Sequence, residues 1–318
     1  MKKRNQTIDI AKGILIVLVV IGHCYSKENI ILRAIYSFHM PCFFVLSGML
    51  YAEKWSTYID FHVGHICRKL LIPYFIFDTL FCLFITVLGR DNGVIAQFTH
   101  SFIRVILPLK GITATWYLPC ILLVLCTFVL IIKFLKKPLQ IYFIVVVFSI
   151  SLLLEPMDLL IPLWRSFIGL GFFAVGFFGK RIFEYRVNIC IWVIVGMVYL
   201  LLSEKNGMVS LVALRYANPF LYVVNGLLGS YLLYQCCLRI SKRTWTEPIA
   251  YIGQNSIVVL CTHMFFIECI RLFDYKLFGN VLYTFGLVEG VAFGGLVLLI
   301  SIPVIAISNK YFRKFFGK

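Results

Sequence analysis

Long apolar runs, broken by short polar stretches, repeat from one end of the chain to the other. A helix of ~17–25 such residues crosses a ~30 Å hydrocarbon layer, and in lipid it satisfies its own backbone hydrogen bonds. The pattern therefore predicts an all-α fold, a polytopic membrane bundle of about ten transmembrane helices. The spans fall near residues 8–25, 30–52, 70–89, 114–132, 139–154, 164–179, 187–203, 218–238, 249–270 and 282–307. Segment 90–113 is compatible with an additional re-entrant piece.

Composition excludes a soluble enzyme. Only 14% of the 318 residues are charged and 61% are hydrophobic, with mean hydropathy +0.93. A soluble domain carries roughly 25% charged residues. Neither a linker nor a soluble segment interrupts the pattern, so residues 1–318 read as a single integral membrane domain.

The net charge of +16 invites a nucleic-acid reading until its placement is considered. With the N-terminus in the cytoplasm, nineteen of the 30 Lys and Arg fall in cytoplasmic segments and nine on the opposite side, with Lys12 and Arg33 inside spans. This is the positive-inside bias, and it predicts that both termini are cytoplasmic. The basic clusters then mark topology; the expected partner is the lipid bilayer, with no nucleic acid.

The first run follows Met-Lys-Lys-Arg, but Asp9 and Lys12 interrupt it and no small-residue cleavage site follows, which favours an uncleaved anchor. A multi-pass protein of the cell membrane, specifically a bacterial inner (cytoplasmic) membrane, is the resulting expectation. The 11 cysteines show no C-x-x-C and read as small core hydrophobes; no metal site is expected.

Ionisable groups inside spans are costly, so each is a candidate for function. In the first span Asp9 and Lys12 are three residues apart and can pair on one face. Lys12 and His23 lie eleven residues apart, about three turns, on nearly one face and roughly 16 Å apart along the axis. Two readings fit: a functional stripe, or a lysine snorkelling to the inner headgroups with a histidine in the outer interface.

The second span holds Arg33 and the stretch FHMPCFFVLSG at 38–48. Here Pro41 removes a backbone hydrogen bond, Gly48 permits close helix approach, and Ser47 and His39 are polar. Arg68 and Lys69, within GHICRKLLIPYF at 64–75, sit at the expected cytoplasmic mouth of the third span. They serve either the charge bias or anion binding. ATWYLP at 114–119 opens the fourth span with Trp116, a position typical of the interfacial aromatic belt. GQNSIVVLCTH at 253–263 adds Asn255, Ser256 and His263, with Asn-Ser suited to an N-cap or an interhelical hydrogen bond. His62, His65 and His100 are expected in loops or at span edges, facing solvent.

These stretches, together with GLGFFAVGFF at 169–178 and in this order, resemble the acyltransferase-3 family of integral membrane O-acyltransferases acting on cell-surface glycans. The family's first-helix signature is a basic residue, ten residues, then histidine, matched here by Lys12 and His23. The family cation is often arginine, and many members carry two arginines three apart before the third span. Here Lys12, and Arg68 with Lys69, stand in their place.

The resemblance implies that His23 is catalytic, with Lys12 as its associated cation and Asp9 beside it. The expected donor is acetyl-CoA or another acyl-CoA, its phosphates near Arg68 and Lys69. The expected acceptor is a hydroxyl of a glycan or lipid-linked saccharide. Ser47 and Asn255 are candidate oxyanion donors; Trp116 and Ser256 are candidate substrate-binding residues, and His39 and His263 are candidates for binding the acceptor or for orienting the base. The rival reading is a transport module for a small polar solute or lipid-linked sugar, with Pro41 and Ser47-Gly48 as a helix break.

Overall fold

The computed structural model describes residues 5–25, 28–54, 63–88, 102–103, 105–106, 113–155, 157–278 and 287–312. The expectations for His62, His100, the His65 side chain and most of segment 90–113 fall outside the described residues. So do the charges counted at Lys2, Lys3, Arg4, Lys27, Arg90, Arg104, Lys110, Arg313, Lys314 and Lys318.

The described chain is helical: α1 Gln6–Cys24, α2 Ile30–Lys54, α3 Val63–Leu88, α4 Tyr117–Phe134, α5 Lys137–Leu153, α6 Ile161–Phe178, the short α7 Lys180–Glu184, α8 Ile189–Asn206, α9 Pro219–Ile240, α10 Glu247–Gln254, α11 Ser256–Phe278 and α12 Leu287–Tyr311. Among the described residues nine helices are long and apolar enough to cross a membrane, and α5 is a shorter apolar helix. The protein is an all-α, multi-pass membrane bundle.

Local chemistry sets the helix starts. Asn5 accepts from the Ile8 amide at 3.2 Å, Asn29 from Leu32 at 2.9 Å, Asn188 from Cys190 at 2.9 Å and Asn218 from Leu221 at 3.1 Å. Each occupies one of the amides that a helix N-terminus leaves without an intrahelical partner. Proline supplies the first turn of α5, α6, α9 and α10, where its missing N–H costs nothing.

Two boundaries differ from the sequence expectation. The third span starts at Val63, seven residues early, so Arg68 and Lys69 lie inside α3 instead of ahead of it. Hydropathy detects only the part of a helix that lies in hydrocarbon; the polar first turns of α3 escape it. The ninth span is two helices, interrupted at Asn255 between α10 and α11. By contrast α2 continues through Pro41 and Ser47-Gly48, so the break expected there is absent from this helix.

Helices α1 and α2 form the centre: 67% of each apolar window is buried, against 17% for the peripheral α8. Backbone-to-backbone approaches fix both. A Cβ on Gly48 of α2 would strike the Phe173 carbonyl of α6, and one on Gly176 of α6 would strike the Val45 carbonyl of α2. A second reciprocal crossing joins Gly13 of α1, against the Ile249 carbonyl, to Gly253 of α10, against the Asp9 carbonyl. Without a hydrophobic driving force between helices in lipid, such small-residue crossings let van der Waals contact hold the bundle.

Candidate active site

A cavity of about 530 Å³ runs along the inner faces of α1 and α2. From the α1 side it is lined by Asn5, Ile8, Asp9, Lys12, Ile16, Val19 and His23, one stripe at three- and four-residue spacing. Residues 5 to 23 span roughly 27 Å of helix axis, nearly the thickness of the hydrocarbon layer. Tyr36, His39, Met40, Phe43, Ser47 and Leu50 form the matching stripe on α2. Lys12 and His23 therefore open into the same cavity, the cation toward the N-terminal end of the bundle and the imidazole toward the other.

At the N-terminal end the walls are polar. Lys69 of α3 and Gln254 and Ser256 from the interrupted ninth span join Asp9 and Lys12. Asp9 is buried and accepts from the Gln254 side-chain amide at 3.1 Å, a contact that the Gly13–Gly253 crossing makes possible. Glu53 at the same end accepts from Asn5 at 2.5 Å and pairs with Lys180 at 3.1 Å, tying α2 to the start of α1 and to α7.

The middle is apolar, walled by Ile16, Val19, Met40, Phe43, Ile121 and Leu260. Beyond it the cavity becomes polar again. His23, Tyr36 and His39 meet there, and the Tyr36 ring stands edge-on to His39 at 4.9 Å between centroids. His39 is buried, and its Nδ1 lies 2.8 Å from the Ile35 carbonyl. Because a carbonyl only accepts, Nδ1 carries the proton, leaving Nε2 of the neutral ring as an acceptor.

Trp116 and the 210–212 loop line the cavity as well, and the Tyr117 ring packs on Phe43 and Phe44 in the apolar middle. Trp116 is held from behind: the Arg165 guanidinium lies 5.3 Å from its ring and also donates to the Val212 carbonyl, joining two parts of the wall. The 3-10 turn Ala114–Trp116 is anchored by Asp78 of α3. This fully buried carboxylate accepts from Thr113 at 2.8 Å and from Thr115 at 2.5 Å. Ser47 lies 3.4 Å from the Tyr117 hydroxyl.

Among the residues singled out from sequence, Asp9, Lys12, His23, His39, Ser47, Lys69, Trp116 and Ser256 all line this cavity. Three others do not. Arg68 is on the exposed face of α3. Asn255 is buried at the helix interruption, its amide donating to the Tyr251 carbonyl at 2.7 Å. His263 is fully buried behind His23, ring centroids 5.4 Å apart. Sequence reading missed Tyr36, Tyr117, Gln254, Asp78 and Arg165. Asp78 had a signal, a carboxylate inside an apolar run, that the intramembrane-charge rule could have caught. Among the described residues no His, Cys, Asp and Glu side chains are grouped to hold a metal ion.

No solved structure matches the chain. The nodulation protein NolL of Sinorhizobium fredii (strain NBRC 101917 / NGR234) is 41% identical over 81 residues, covering 22% of this chain and 22% of that protein. The match thus spans under a quarter of the relative's length. The family profile described as an acyltransferase domain matches residues 5–307, from the cap of α1 into α12. The chain belongs to the acyltransferase-3 family.

Proposed function

We propose that the protein is an integral membrane O-acyltransferase that moves an acetyl group from cytosolic acetyl-CoA to a hydroxyl of a cell-surface or lipid-linked saccharide. The observation that carries this reading is the single cavity lined by Lys12 at one end and His23 at the other. In this reading the N-terminal end faces the cytoplasm of a bacterial inner membrane, as the charge bias expects.

Lys12 and Lys69 would attract the phosphates of the donor, with Arg68 contributing field at the mouth from the helix surface. The apolar middle suits the thin pantetheine arm, and the length from Lys12 to His23, roughly 16 Å, is on the scale of that arm when extended. The thioester then comes to rest beside His23. An acceptor hydroxyl enters from the Trp116 end, where aromatic and polar groups meet.

His23 takes the hydroxyl proton as the oxygen bonds to the thioester carbonyl carbon. The negative charge passes to the carbonyl oxygen, where the Tyr36 hydroxyl, which lies against Gly22 beside His23, can donate to it. Collapse breaks the C–S bond, and the thiolate recovers the proton from His23. The products are the acetyl ester and free CoA, with no net proton change.

The experiment is acetyl transfer by protein in nanodiscs supplied with labelled acetyl-CoA and saccharide acceptors. Transfer by the wild type and its loss in His23→Ala support the reading. Full transfer by folded His23→Ala contradicts it.

The helix interruption at Asn255, beside the cavity, also suits a transport module for a small polar solute or lipid-linked sugar. That version expects solute uptake into proteoliposomes without consumption of acetyl-CoA.

A further inference from the structure

His23 sits in the last turn of α1, and two groups from α11 hold it from behind. The Arg271 guanidinium donates to the His23 backbone carbonyl at 3.4 Å and pairs with Glu268 at 2.8 Å. The second group is the His263 ring, 5.4 Å from the His23 ring between centroids and tilted by 39°.

His263 is fully buried, and its Nδ1 lies 2.8 Å from the Val259 carbonyl, one turn earlier on its own helix. That contact requires the proton on Nδ1, so in neutral His263 the Nε2 atom is a lone-pair acceptor. Among the described residues Nε2 has no hydrogen-bond partner. A buried acceptor left in that state forfeits its hydration without compensation.

His23 is the ring at hand to supply the donor. A centroid separation of 5.4 Å, less the two ring radii, leaves about 3 Å between facing nitrogens, a hydrogen-bond length. The χ2 torsion of His23 is soft, so its ring can turn toward that acceptor.

We infer that His263 is the positioning residue of His23: its Nε2 accepts the N–H of His23, fixing one tautomer and aiming the unprotonated His23 nitrogen into the cavity. This rests on the reading of His23 as the base. It adds how a base that meets His263, His39 and Arg271 among the described residues is oriented in lipid.

When His23 takes the acceptor proton it becomes an imidazolium with two N–H groups. One faces the forming ester, and the other donates to His263 Nε2. The proton gained returns to the departing thiolate, and His263 neither gains nor loses one. A neutral acceptor has one advantage over a carboxylate here: no unpaired charge must be kept desolvated beside the neutral His23 between turnovers.

The test uses full-length protein labelled with ¹⁵N-histidine in nanodiscs. Two-bond ¹H–¹⁵N spectra separate the tautomers of the six histidines, and the signal missing in His23→Gln identifies His23. The expected wild-type His23 is a single tautomer. It should stay single in His263→Gln, whose amide oxygen still accepts, and become mixed in His263→Phe. With labelled acetyl-CoA and a saccharide acceptor, kcat should fall about tenfold or more in His263→Phe at unchanged KM for acetyl-CoA, and recover in His263→Gln.

An unchanged His23 tautomer in His263→Phe overturns the inference. So does an equal loss of kcat in the Phe and Gln variants, which marks a packing role only. If His23→Ala proves fully active, the base reading falls, and the tautomer spectra still decide whether the two rings are paired.

Discussion

Gly253 of α10 lies so close to the carbonyl of Asp9 on α1 that a single added methyl group would collide with the backbone. Gly13 meets the Ile249 carbonyl in the same way, so the two helices touch main chain to main chain beside the polar end of the cavity. Gly253→Ala and Gly13→Ala should each cost about 1–3 kcal/mol through overpacking. Thermal unfolding in detergent should show a lower midpoint for both. Gly295→Ala, where a Cβ meets open space, should leave it unchanged.

The buried Asp78 carboxylate gathers the Thr113 and Thr115 hydroxyls and so sets the turn that carries Trp116. Removing it strands one hydroxyl donor, because only one of the two can donate to the other across their 2.8 Å contact; an unsatisfied buried group costs about 1–3 kcal/mol. Asp78→Ala should lower the unfolding midpoint. Asp78→Asn keeps an accepting oxygen and should recover part of the loss, measured in the same assay.

At the N-terminal end, Lys12 and Lys69 both line the cavity. If they attract donor phosphates, Lys12→Gln and Lys69→Gln should raise KM for acetyl-CoA several-fold with a smaller change in kcat. The wild-type KM should rise with ionic strength as the charges are screened. Steady-state kinetics at two salt concentrations checks both outcomes.

Arg165 joins Trp116 to the 210–212 loop in the wall of the cavity. Arg165→Met keeps the stem volume and removes both contacts. In a variant without the native cysteines, labelling of an introduced Ser47→Cys by a membrane-impermeant maleimide from that side should become faster in the Arg165→Met background. Equal rates would mean that the clamp does not close the cavity.

Much of this was legible in the sequence because lipid allows few solutions. The spans were expected within several residues, apart from the start of α3 and the ninth span, which is divided at Asn255 and runs on to Phe278; the Lys12–His23 stripe followed from helical spacing alone. Gly48 was expected to permit a close approach, and it meets the Phe173 backbone. What stayed hidden depends on pairs distant in sequence. Nothing in the spacing of Tyr36 or Gln254 says that they face this cavity; Gln254 reaches Asp9 only because the Gly13–Gly253 crossing brings α10 onto α1. Nor could hydropathy separate α10 from α11: the interruption takes one residue, Asn255, inside an apolar run.

The placements of Asn255 and His263 carry the same lesson. Both are polar residues in an apolar run, yet Asn255 spends its amide on the Tyr251 carbonyl, and His263 faces another ring instead of the cavity. An intramembrane polar residue marks a place where something is held; the chain alone does not reveal which side of the wall it serves.

The most direct measurement of the central claim is the rate of labelled acetyl transfer from acetyl-CoA to a saccharide acceptor in nanodiscs, comparing wild type with His23→Ala of equal thermal stability. Loss of a general base predicts a fall of about 10²–10⁴-fold in kcat with KM for acetyl-CoA nearly unchanged. An equal kcat in the two proteins would contradict the account.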